Sequence, residues 1–210
     1  MIIVESRRKK SATLEKKYPG AVHADVTSNS DSDSLRKLSP FYPHYDIPVP
    51  FSPGVTAACV EAVWQGLKVF ESEGVDVNMF GNDTMKNIKR TVRRFGRCLG
   101  HQKGVDGNED ELLDYLEARK QIYIPAYKWV LENKVSEIIE KLRKADEKGR
   151  TILLLDYNTN DDIDDPKKPL SHAALIKAYV LGEYPFGEMK ADSEDASKSN
   201  VEDDGQMLLF

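Results

Sequence analysis

The spacing of apolar positions changes several times along the chain, and each change marks an element. Residues 2–5 are a short apolar run of strand length, and residues 21–27 alternate as AVHADVT, the period of a half-buried strand. A Ser/Asp/Asn-rich loop spans 28–34. Residues 39–54 then carry five prolines interleaved with aromatics, which excludes a helix or a central strand because proline fixes φ and has no N–H to donate. Linkers seldom hold so many aromatics. This stretch reads as extended chain packed down by Phe41, Tyr42, Tyr45 and Phe51, the wall of a binding cleft.

After Pro53 and Gly54 the period becomes helical through about Glu73, with Val60, Val63, Leu67 and Phe70 on one face and Gly74 suited to the C-terminal cap. A second helix is expected from Thr84 to about Cys98. A third helical region, 109–148, has a break or kink at Pro125 and is ended by Gly149. TILLLD, 151–156, reads as a buried strand; a polar loop and a last helix, from about Leu170 to Leu181, complete the pattern. The elements predict an α+β fold, a mainly helical single domain with a small sheet assembled from both ends of the chain.

Composition agrees with a water-soluble globular protein: of 210 residues 40% are hydrophobic and 31% charged. No apolar run approaches the roughly 18 residues of a spanning helix. The basic cluster of MIIVESRRKK follows its apolar stretch, the reverse of a secretory signal, so a cytoplasmic location is expected, without membrane contact. Cys59 and Cys98 stand without metal-ligand spacing and are expected to be free thiols; no metal or cofactor is expected.

The formal charge of -5 is concentrated at one end. Residues 187–205 carry seven acids against Lys190 and Lys198, so the remainder is neutral overall. With almost nothing large and apolar to bury, this segment is expected to be a disordered linker, and the globular domain to span 1–186. One further signal is basic. Lys86, Lys89, Arg90, Arg93, Arg94 and Arg97 give six positive charges with no acid between Thr84 and Gly100, a stripe that suits either a solvated helix or a phosphate backbone.

Candidate chemistry lies on the first long helix. Glu61, Trp64, Gln65 and Lys68 stand at i, i+3, i+4 and i+7, one stripe carrying a carboxylate, an indole, an amide and an ammonium. Spacing alone also suits a solvated face. VEAVWQGLKVF, 60–70, resembles the signature helix of the NADAR family (NAD- and ADP-ribose-associated proteins), with Glu61, Gln65 and Lys68 in register. FGR, 95–97, the amphipathic segment AYKWVLENKVSEIIEKL and the strand with acidic loop LLLDYNTNDDIDD resemble later parts of that family in order. The family's late Trp-Gly and Gly-Lys-Asn are replaced here by Ile163-Asp164-Asp165 and the Pro-Lys-Lys-Pro of 166–169.

The resemblance implies hydrolysis of an N-glycosidic bond on an ADP-ribosyl or phosphoribosyl substrate. Glu61 is then the expected catalytic carboxylate, which stabilises an oxocarbenium-like transition state or activates water. Asp161 and Asp162 are candidates for a second carboxylate, and Asp156 for that role or for binding ribose hydroxyls. Lys68 and Arg97 are expected to hold phosphate, Gln65 to line the site, and Trp64 or Tyr42 to stack on a base.

The last five residues, QMLLF, resemble the peptide by which bacterial proteins bind the β sliding clamp. Met207, Leu209 and Phe210 are the expected anchors and Gln206 the orienting hydrogen-bonding group, which places the protein in a bacterial cell or its phage. Three functions are consistent with these features. The first is an N-glycosidase tethered to the clamp, acting on a nucleotide or ADP-ribosylated substrate that includes DNA. The second is a non-enzymatic phage or plasmid factor that occupies the clamp and modulates replication. The third is a metabolic hydrolase of riboflavin or nicotinamide nucleotides.

Overall fold

The computed structural model describes residues 1–108 and 110–185. The linker 187–205 and the peptide 206–210 lie outside the described residues. The fold is α+β, as the sequence pattern predicts. Strands β1 (Ile2–Ser6) and β2 (Val22–Asp25) both pair in parallel with β7 (Ile152–Asp156), giving the order β1-β7-β2. β7 is buried along its whole length because it is the central strand and both faces are covered. Ile152 and Leu154 join the main core, whereas Leu153 and Leu155 turn to the other face and meet Leu14 of helix α1 (Ser11–Lys17), an element the sequence reading did not foresee. Near that face the Glu5 carboxylate accepts from Lys9, Lys17 and Tyr18.

Between β2 and the next helix the chain makes the short helix α2 (Asp33–Arg36) and a small ladder, β3 (Ile47–Pro48) against β4 (Thr56–Ala57). Helix α3 (Val60–Gly66) follows, its N-terminus capped by Cys59, whose Sγ accepts from the Ala62 N–H at 3.3 Å. Helical spacing predicts continuation to Glu73, but α3 stops at Gly66. A Cβ there would collide with the Phe80 ring, and the chain instead becomes strand β5 (Lys68–Phe70), antiparallel to β6 (Cys98–His101).

The helix expected over 84–98 does not form. Met85 and Asn87 have positive φ, only Val92–Phe95 is helical (α4), and Gly96 at φ 80° turns the chain into β6. Tertiary pairing with β5 overrides the helix propensity of the Lys/Arg-rich segment. The region 109–148 resolves into α5 (Tyr115–Ala118), a π-helical turn (Arg119–Tyr123), α6 (Ile124–Asn133) and α7 (Ser136–Glu147). Pro125 directly follows the π-helical turn, through which the chain stays helical, and a break lies at Lys134 and Val135. Helix α8 (His172–Val180), capped by the Ser171 hydroxyl, packs with α7 along the sheet. Among the described residues no helix is long and apolar enough to cross a membrane.

Candidate functional site

Three parallel strands end at one edge of the sheet, and the loops leaving them border a cavity of about 700 Å³. Arg8 follows β1, Thr27 and Ser28 follow β2, and Tyr157 and Asn158 follow β7. Such an edge is where open parallel sheets receive ligands. The opposite wall comes from α3, β5 and residues 89–91, and the proline-rich segment contributes Ser39, Pro40 and Phe41.

Glu61 lines this cavity while its helix neighbours Val60, Ala62 and Val63 enter the core. It is only 8% exposed. Its Oε1 accepts from Gln65 Nε2 at 2.7 Å, and Oε2 has no hydrogen-bond partner among the described residues. The Gln65 amide is oriented in turn: its Oε1 accepts from Lys68 Nζ at 3.2 Å and from the Arg90 backbone N–H at 3.0 Å. Lys68 belongs to β5 rather than to the helix, yet it returns to the same stripe, so the i, i+4, i+7 pattern survives the change of element. Desolvation pushes the Glu61 carboxyl above its ordinary range, against the opposing influence of Gln65 and of the Lys68 and Lys89 charges. Desolvation likewise pushes the Lys68 ammonium down, with Glu61 opposing.

Trp64 forms an aromatic wall with Tyr115 and Tyr123, at centroid distances of 6.0 and 5.8 Å, and is backed by His101 at 3.9 Å. The His101 ring is buried in β6 with neither nitrogen bonded; burial, then the nearby Lys68 charge, lowers its pKa to about 3. Beneath the wall, Arg90 donates to the carbonyls of Gln65 (3.3 Å), Lys68 (2.6 Å) and Gly74 (2.7 Å), pinning the α3–β5 junction.

Asp156, at the end of β7, also lines the cavity, but both of its oxygens are engaged by the protein. Oδ1 accepts from the Tyr157 N–H at 2.6 Å; Oδ2 accepts from the Ser171 hydroxyl at 2.8 Å and lies 3.0 Å from His172 Nδ1. Burial works to raise its pKa, but these bonds, that of His172 first, hold it below the usual carboxylate value. Asp156 therefore ties the sheet edge to the start of α8.

The remaining sequence candidates are not brought to the cavity. Arg97 is turned outward by the β5–β6 pairing and forms an exposed ion pair with Glu71 at 3.3 Å. Tyr42 lies beside His44, at a centroid distance of 4.9 Å. Asp161 and Asp162 are exposed in the loop after β7, where the Asp162 carboxylate accepts from the Asp164 N–H. That loop is held by Arg119, which sequence reasoning missed. This side chain, in a residue 2% exposed, donates to the carbonyls of Asp162 (3.3 Å), Ile163 (2.8 Å), Asp165 (2.9 Å) and Lys168 (2.8 Å). No periodicity betrays it, because its partners are backbone oxygens more than forty residues away.

The match of a family model spans residues 6–176, which takes in both walls of the cavity. The chain belongs to a family of unknown function (DUF6939). No curated protein matches it. The family match covers Glu61, Gln65, Lys68, Arg119 and Asp156 together and ends within α8. Among the described residues no group of His, Cys, Asp and Glu is arranged to hold a metal ion.

Proposed function

We propose that this member of the family is an N-glycosidase-like hydrolase acting on a ribosyl or ADP-ribosyl N-glycosidic linkage. The observation that carries the reading is the relay Lys68–Gln65–Glu61 on the wall of the cavity, with one carboxylate oxygen oriented by the protein and the other left without a partner among the described residues. In the proposed reaction, water adds its oxygen to C1′ and passes a proton to Glu61 Oε2. The C1′–N bond breaks, the departing base keeps the electron pair, and the proton held by Glu61 then passes through solvent to that base, which restores the carboxylate. The carboxylate offsets the charge that develops on the sugar, an effect enlarged by burial. Lys68 holds a substrate phosphate as a point charge, and Trp64 offers a face for the base.

The test is Glu61→Gln. The amide preserves shape and is expected to lower cleavage of ribose 5-phosphate and ADP-ribose N-glycosides by at least about 100-fold, with the thermal transition kept. Full turnover by the variant removes Glu61 from the reaction, and absence of cleavage by the unmodified protein removes the hydrolase reading.

QMLLF supports a tether to the β sliding clamp within the same proposal, and equally the reading of a non-enzymatic protein that occupies the clamp and modulates replication. Deleting residues 206–210 separates the two. Loss of clamp binding with cleavage retained supports the tethered enzyme; tight clamp binding by a full chain that cleaves nothing supports the second.

A further inference from the structure

The basic segment beside the cavity is not the solvated helix that its composition suggests. Ile88 and Arg90 are buried, which fixes the backbone there, while Lys86, Lys89, Arg93 and Arg94 remain exposed. Among the described residues none of these four forms an ion pair; in this segment only Arg97 does. Lys89 and Thr91 line the cavity itself, and α4, with Arg93 and Arg94, follows directly in the chain. Val92, 66% exposed, lies within it.

These four like charges, none of them in an ion pair among the described residues, repel one another. An acidic polypeptide would neutralise them, but it would leave the neighbouring aromatic surface unused. Phe41 stands 5.8 Å from Lys89 Nζ at the cavity, and Trp64, Tyr115 and Tyr123 also line it. A row of cations leading to stacking faces fits a polymer with regularly spaced phosphates and splayed bases. A base paired in a duplex would first have to be unstacked to enter.

We infer that residues 86–94 are a docking strip for single-stranded nucleic acid, which carries phosphates along Lys86, Arg93 and Arg94 while one nucleotide enters the cavity past Lys89. This rests on the hydrolase reading for what happens to that nucleotide, but the docking itself does not.

The experiment measures fluorescence anisotropy of a labelled single-stranded DNA of about 20 nucleotides with the full chain, over a series of salt concentrations. It compares the unmodified protein with the triple substitution Lys86→Ala, Arg93→Ala and Arg94→Ala. With about 0.7 counterions released per contacted phosphate, removing three contacts lowers the log–log salt slope by about 2. Affinity at low salt is expected to fall more than tenfold, while cleavage of small N-glycosides is unchanged. Unaltered affinity and slope in the triple variant overturn the strip. So does competition by poly-glutamate as effective as that by DNA, which makes the partner an acidic protein, and so does equal binding of duplex. Strip-dependent DNA binding by a protein that cleaves no N-glycoside sustains the docking surface while the hydrolase reading fails.

Discussion

Replacing His101 by phenylalanine is expected to make the protein markedly less sensitive to acid. The ring is 2% exposed, stacks against Trp64, has no partner for either nitrogen and sits beside Lys68 in the β5–β6 ladder. Its folded pKa of about 3 lies below the ordinary value of about 6.5 for an unfolded histidine. The unfolded chain thus binds a proton that the folded chain refuses, so stability is intact above about pH 6.5 and is lost progressively as pH falls toward about 3. Between about pH 7 and pH 4.5 this one ring accounts for a loss of roughly 2 to 3 kcal/mol. Phenylalanine has nothing to protonate. Urea unfolding at the two pH values measures the loss for each protein, and carboxylates such as Glu5 contribute equally to both. The variant is expected to lose roughly 2 to 3 kcal/mol less than the unmodified chain. At neutral pH it also escapes the burial of two unpartnered nitrogens, worth about 1 kcal/mol or more, less the strain of a slightly larger ring. Equal losses in the two proteins would show that His101 is solvated or bonded and that the reasoning is wrong.

Other expectations follow from the same geometry. Cleavage should require Glu61 ionised and Lys68 protonated; burial raises the first pKa and lowers the second, so the pH–rate profile is a narrowed bell, and Lys68→Met should abolish its alkaline limb. An acid limb at the ordinary carboxylate value would contradict the burial of Glu61. Arg119→Met strips four carbonyls of their donor and is expected to cost about 3 kcal/mol, with amide exchange accelerated across residues 162–168. Unchanged protection there would mean that the loop holds itself. Burial pushes the Cys59 thiol up to about 12, so alkylation at mild pH should label Cys98 and spare Cys59 until the chain unfolds. Equal labelling rates in the native protein would contradict the capped, buried position of Cys59.

What the sequence discloses depends on whether the signal is local. β7 is legible because a strand covered on both faces is apolar along nearly all of its length, and Glu61, Gln65 and Lys68 are legible because two helical turns suffice to align them. The end of α3 is not. Val60, Val63 and Leu67 continue a helical period, yet the chain leaves the helix after Gly66 to pair as β5 with β6, a partner distant in the chain. β6 carries no strand signal of its own, since CLGH owes its conformation to the partner it finds in β5. Arg97 looks equivalent to Arg90 in the basic run, yet one is pulled inward by three carbonyls and the other is turned to solvent by strand pairing. The third dimension also separates the carboxylates: Asp156, Asp161 and Asp162 are near neighbours in the chain, but only Asp156 reaches the cavity.

The strand order has a consequence for biogenesis. β1 and β2 leave the ribosome before β7 and do not pair with each other; each waits for β7, whose last residue is Asp156. Any nascent chain or truncated product ending before that point has two orphaned strand edges and no sheet, so the shelf that supports the cavity is among the last features to be assembled. A nonsense mutation ahead of the β7 codons should therefore yield an aggregation-prone fragment rather than a smaller folded protein.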